Sequence, residues 1–206
     1  MMILTYFVKG YKLISYPIIF KFSWFMTWLK FKANRVKFAN DFISKGIPLV
    51  SVSLSGSFSL GVKFVSHSGD FNIIGRQQKC YFIVRENARL IIGDNVGVSS
   101  CAIICHHQIT IENDVRIGGG VVIYDTDFHS LDVTERVQDQ EVLTAVKVAP
   151  VKIEKGAFIG AHSIILKGVT IGANAIVGAG SVVARSIPAN EIWAGNPAKK
   201  IKSIGV

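Results

Sequence analysis

Tyr124, Asp125, Asp127 and His129 stand close together in the chain. Histidine changes charge nearest to neutral pH of all unperturbed side chains, so His129 is a candidate base that can take a proton from a hydroxyl and give it back. A nearby carboxylate would select the imidazole tautomer and stabilise the imidazolium, and Asp127 and Asp125 are the candidates for that role. Either carboxylate could instead hold acceptor hydroxyls. The histidine is followed by SLDVTERVQDQEVLTAVKVAP, a polar, charged stretch too long for a simple turn, and loops of this length tend to carry function. Cys101, Cys105, His106 and His107 are of metal-ligand type. In the six-residue frame described next, however, Cys101 is the fourth residue of one unit and Cys105 the second of another, which points them to different faces, so no metal site is expected. Gly118, Gly119 and Gly120 lack the Lys-Ser/Thr of a phosphate loop and are expected to serve close packing.

The element that must position these residues is a repeat. Ile153, Ile159, Ile165, Ile171, Val177 and Val183 fall at intervals of six, and Ala157, Ser163, Val169, Ala175, Ser181 and Ile187 follow each by four. A helix would repeat near 3.6 and an ordinary strand at 2. Period six is the pattern of an all-β fold, a left-handed parallel β-helix, in which each unit supplies a short strand and a corner and the aliphatics stack inside. The frame runs earlier through Ile92, Val98 and Ile104, slips by one residue, and resumes at Ile111, Ile117 and Ile123. Upstream it survives only loosely, around Val84, Ala88 and Leu90, so incomplete coils are expected between about 50 and 91. In this frame Asp127 takes a small-residue position, where a carboxylate facing the core is costly, and it is expected to be partnered or displaced.

The 206 residues divide sharply in composition. Half are apolar and 18% are charged, which excludes wholesale disorder. Residues 1–45 hold eight basic residues against the single acid Asp41, a net +7 of the chain's +9, and 12 of its 21 aromatics. The apolar run Leu13 to Leu29 is cut by Lys21 and contains Pro17, which makes it a poor spanning segment. Rings interleaved with lysines suit a peripheral membrane contact through residues 1–45 or an apolar cap on the main domain, and the two are compatible. Nucleic acid is not expected as a partner, because the lysines are dispersed and the apolar groups would have no role. The expected organisation is a basic, aromatic, helical segment over 1–45, the β-helix over 46–188 with its loop at about 130–150, and a short C-terminal helix or tail over 189–206. Three cysteines and no small-residue cleavage site after the first apolar stretch lead to an expectation of a reducing, cytoplasmic setting.

IYDTDFHSLD at 123–132, the hexads of 149–188 and WAGNPAKKI at 193–201 together resemble the hexapeptide-repeat acyltransferases, and among them the O-acetyltransferases of sugars and of capsular polysaccharide. The resemblance covers roughly residues 84–204. It implies acetyl-CoA as co-substrate, a sugar or glycan acceptor in surface polysaccharide synthesis, and a homotrimer whose sites lie between neighbouring coils. It also implies that Phe158, Gly160, Ala161, Ala179 and Gly180 line the pantetheine arm, and that Arg185, Lys199 and Lys202 meet the phosphates. The alternatives are a serine or small-amine acetyltransferase, whose usual helical domain 45 aromatic and basic residues replace poorly, and a non-enzymatic β-helix scaffold, which would have no use for the Asp, Asp, His cluster and loop together.

Overall fold

The computed structural model describes the backbone of residues 2–14 and all atoms of 15–72, 75, 78–137 and 146–205. Short strands alternate inward and outward residues, and three corners per turn wind them into a triangular prism, a left-handed parallel β-helix. Sheet one stacks Ile43–Lys45, Val65–His67, Gly97–Ser99, Arg116–Ile117, Phe158–Ile159, Ile176–Val177 and Glu191–Gly195 in parallel, then adds Ala198–Ser203 antiparallel. Sheet two stacks Leu49–Val52, Tyr81–Val84, Ala102–Cys105, Val122–Tyr124, Ile164–Ile165 and Val182–Val183. Sheet three stacks Ser57–Leu60, Arg89–Ile92, Gln108–Ile111, Val151–Ile153 and Thr170–Ile171. The chain visits sheets one, two and three in turn, so like residues of successive coils lie in register: Arg116 beside Phe158, Ile123 beside Ile165, Ile153 beside Ile171. The corner from sheet three to sheet one turns through left-handed residues at Asn95, Asp114, Gly156, Asn174 and Asn190, types that tolerate that conformation.

The coils expected to be incomplete between 50 and 91 are complete, with all six strands from Ile43–Lys45 to Arg89–Ile92 paired in parallel. Their period is hidden because the interior positions are not aliphatic. Ser44 and Ser66 face inward in sheet one, joined by a 3.1 Å hydroxyl contact and extended at 2.9 Å to Thr27, while Phe58, Phe64 and Phe82 fill the rest. The frame also slips earlier than the hexad count implies: Ile103 is wholly buried and Ile104 turns outward. Cys101 and Cys105 consequently share the interior rather than pointing to different faces. Among the described residues no group of His, Cys, Asp or Glu is arranged to hold a metal ion.

The amino-terminal segment forms a helix, α1 (Met2–Ala33), whose later turns close the first coil. Phe31 is fully buried among Phe38, Phe42 and Phe58, and Trp24 stacks on Phe42 at 5.4 Å. Rings suit this end because the first coil has no neighbour to supply aliphatics. The coil itself begins ahead of residue 46, since Lys37 already bridges to Ser59 and Ile43–Lys45 pairs with Val65–His67. It also runs past 188. Ile192 pairs with Ile176, and the chain then doubles back, so the described tail is a β-hairpin and holds no helix.

Candidate active site

The loop bearing His129 leaves the prism at the corner between sheets two and three. Asp125, Lys167 and Arg185 each follow by two residues the register-matched Ile123, Ile165 and Val183, so they stack at this edge in successive coils. The loop's mouth is closed by an antiparallel bridge from Thr126 to Val148, with the Asp127 amide donating to the Lys147 carbonyl at 3.1 Å and the Ala149 amide to that of Asp125 at 2.9 Å. Beyond the mouth, Asp132 caps a one-turn helix, α2 (Val133–Arg136), accepting from the Thr134 amide at 2.7 Å. The Thr134 hydroxyl and amide hold the Asp132 carboxyl below its ordinary range.

The two carboxylates of the sequence motif do different work. Asp125 is fully buried and accepts the amides of His106 at 2.7 Å and His107 at 2.8 Å, which tie down the corner of the preceding coil. Burial, and then the charge of Asp125, push the adjacent Cys105 thiol far up. Asp127 instead reaches solvent partially and pairs with Lys167 at 2.7 Å, as its expected partnering requires. Its second oxygen, Oδ2, is buried and accepts no hydrogen bond among the described residues. Thr126 Oγ1 takes the Phe128 amide at 3.1 Å, and Phe128 is held at φ 65° with its ring edge-on to Tyr124 and His106. A left-handed bulky residue is strained, and such outliers persist where the surroundings over-determine them. The turn leaves His129 exposed at the mouth of the loop.

The residues expected to meet a cofactor lie elsewhere on the prism. Phe158 projects from sheet one between Arg116 and Ile176 and is 46% exposed. Gly160 begins the turn into sheet two, where Ala161, Ala179 and Gly180 stack; a Cβ on Gly160 would sit 2.5 Å from the Ala179 nitrogen, so only glycine fits. Gly180 takes φ 70° on the open side of that corner. Lys199 and Lys202 lie on the returning hairpin strand at the edge of sheet one, opposite Ala194 and Ile192. Of this set Arg185 alone shares the edge of His129. One chain therefore carries the two halves of the expected site at different corners, with sheet two between them.

Two further features were not legible beforehand. Lys167 pairs with a residue forty positions earlier, across a loop whose length hides the register. A groove of about 330 Å³ also runs along the outer face of sheet one, lined by Val65, His67, Gly97, Ser99, Arg116 and Phe158. Glycine at position 97 leaves room for a neighbouring side chain on the floor. Arg116 lies across that position and is held by the side-chain oxygen of Asn95 at 3.2 Å. His67 is kept below its ordinary pKa by burial and then by Lys45.

Known proteins agree with this architecture. The family model for the hexapeptide repeat of succinyl-transferase matches residues 150–185. A Saccharomyces cerevisiae protein whose name assigns it provisionally to the acetyltransferases is 38% identical over 118 residues, which is 57% of this chain and 57% of its own length. The chain spans about half the length of the curated relatives it matches. Among solved structures, a hexapeptide-repeat-containing acetyltransferase of Vibrio cholerae is 33% identical with a TM-score of 0.51, covering 57% of this chain and 64% of that one. AntD, an N-acyltransferase of Bacillus cereus solved with dTDP-4-amino-4,6-dideoxyglucose and coenzyme A, shares the fold at 20% identity, with a TM-score of 0.66 over 87% of this chain and 89% of its own. The repeat in the later coils and the fold across most of the chain are those of the hexapeptide-repeat acyltransferases. It is this family that the chain resembles.

Proposed function

We propose that the protein is an acyltransferase that moves acetyl from acetyl-CoA to a hydroxyl of a sugar or glycan, with His129 as the base. The observation that carries the reading is the structure of the loop mouth: an exposed histidine two residues beyond a carboxylate that keeps one buried oxygen without a donor among the described residues. The Vibrio cholerae protein has also been solved with acetyl coenzyme A, at 23% identity to this chain, and AntD carries a nucleotide-linked amino sugar in its structure. The co-substrate fits the donors here, since Arg185 is an exposed cation at the same corner as the loop, two coils along, and phosphate groups need such cations.

When bound, the thioester supplies an activated acetyl group. His129 removes the proton of the acceptor hydroxyl as its oxygen bonds to the acetyl carbon, and returns that proton to the departing sulfur as the carbon–sulfur bond breaks. Asp127, its Oδ1 held by Lys167, supplies the negative charge that stabilises the imidazolium as it forms. Asp125 has no part in this step. Because the pantetheine residues and His129 occupy different corners, the site is completed between copies. A closed three-fold homotrimer supplies Phe158, Gly160, Ala161, Ala179 and Gly180 from one copy and His129 from the next. We place the enzyme in the cytoplasm, serving surface polysaccharide synthesis.

The test is thiol release from acetyl-CoA with hydroxyl-bearing sugars and nucleotide sugars. His129→Ala is expected to lower turnover by roughly a hundredfold or more. A product whose acetyl group resists mild alkali would mark an amide and move the reading to amine acetylation. Equal rates for wild type and His129→Ala would discard the mechanism.

A further inference from the structure

We propose that the outward face of α1 lies against an anionic lipid bilayer. The inward face of this helix is already occupied: Ser23, Thr27 and Phe31 are buried, Phe20 packs edge-on to Phe71, and Trp24 stacks on Phe42. The cap is therefore satisfied by one side alone. The other side presents Ile18 at 64% exposure, Phe22 at 57%, Phe25 at 49% and Leu29 at 39%. Their spacing of four, three and four places them in one line along the helix. Solvation of such a ridge has no structural return for the coil, and contiguous exposed apolar surface marks a binding face.

The charge around the ridge selects the occupant. Lys21 and Lys32 are exposed on the same helix, and Asp41 is the one acid in residues 1–45. The Asp41 carboxylate is turned to the Lys63 amide at 3.0 Å. Between α1 and the first strand of sheet one runs a cleft of about 290 Å³, lined by Phe20, Trp24, Phe42 and Ile43 with Lys21 and Lys45 beside them. An apolar slot flanked by ammonium groups matches an acyl chain below an anionic headgroup. A second copy of this segment would bring +7 against +7, which disfavours a contact between two such faces. Among the described residues no helix is long and apolar enough to cross a membrane, so α1 lies in the interfacial plane, its rings at headgroup depth and its lysines against lipid phosphate. This inference does not depend on the acyl-transfer reading.

The experiment is sedimentation of the full chain with vesicles of phosphatidylcholine alone or with about 30% phosphatidylglycerol, at low salt and at about 0.5 M salt. The protein is expected to pellet with the anionic vesicles, to be released by salt, and to bind phosphatidylcholine weakly. Ile18→Ser with Phe22→Ser should weaken binding roughly tenfold or more, with an unchanged circular dichroism spectrum, because neither side chain faces the coil. Lys21→Glu, which alters no packed residue, gives an independent reading if the serine pair disturbs folding. Wild-type protein that stays in the supernatant with both lipids would overturn the proposal. So would binding that neither substitution reduces, or a serine pair that breaks up an oligomer in the absence of lipid.

Discussion

Asp125→Ala separates the two carboxylates most sharply. Asp125 accepts two backbone amides, from His106 at 2.7 Å and His107 at 2.8 Å, in a position with no solvent exposure. Truncation leaves both donors buried and unpaired, at about 1–3 kcal/mol each. Removing the carboxylate also removes the cost of burying its charge, which offsets part of that loss. The expected net is about 2–4 kcal/mol of lost stability, a fall in midpoint of roughly 5–15 °C for a chain of this size. Thermal unfolding at neutral pH, followed by far-ultraviolet circular dichroism, measures it. Turnover per folded molecule should change little below the melting range, because Asp125 stabilises the corner under the loop and does not act on His129. A variant that melts within about 1 °C of wild type, or that stays fully folded and loses turnover, would refute the division of labour.

Asp127→Asn should leave the midpoint within a few degrees of wild type while lowering turnover much more than acetyl-CoA affinity, since its stabilisation grows as imidazolium forms; Michaelis kinetics and calorimetric binding separate the two. Lys167→Met should lower turnover in the same direction, because it releases the Asp127 oxygen that the ion pair at 2.7 Å fixes, and the kinetics of the double variant with Asp127→Asn should show no further loss. Gly160→Val should unfold the later coils, since even a Cβ there falls 2.5 Å from the Ala179 nitrogen; expression and melting report it. His67 and His106 are both held below 6.5, chiefly by burial. Between the folded pKa and 6.5 the unfolded chain binds more protons, so stability should fall as pH drops below 6.5 and through the folded value. His67→Gln should flatten part of that slope in urea titrations.

The later coils were readable because their interior is aliphatic at every sixth position, and six fixes strand plus corner. The first two coils were not, because Ser44 and Ser66 hold inward positions through hydroxyl contacts and phenylalanines fill the rest. The hexad count places Ile104 inward because its neighbours Ile103 and Cys105 are equally apolar, and only strand pairing fixes Ile103 as the buried one. At the site, residue type alone marked His129, Asp125 and Asp127. It could not separate the two carboxylates, since burial and hydrogen bonding rather than spacing make one a corner anchor and the other a partner of Lys167. The membrane and cap expectations for residues 1–45 rested on one composition, and the structure shows the cap through Phe31 and Trp24.

The most direct test of the central claim is mass spectrometry of a hydroxyl-bearing glycan acceptor incubated with acetyl-CoA and either wild-type or His129→Ala protein. A mass gain of one acetyl group that mild alkali removes, formed by wild type and lost in the variant, is the predicted result. Acetylation at equal rates by both proteins, or acetyl found only on amines, would contradict it.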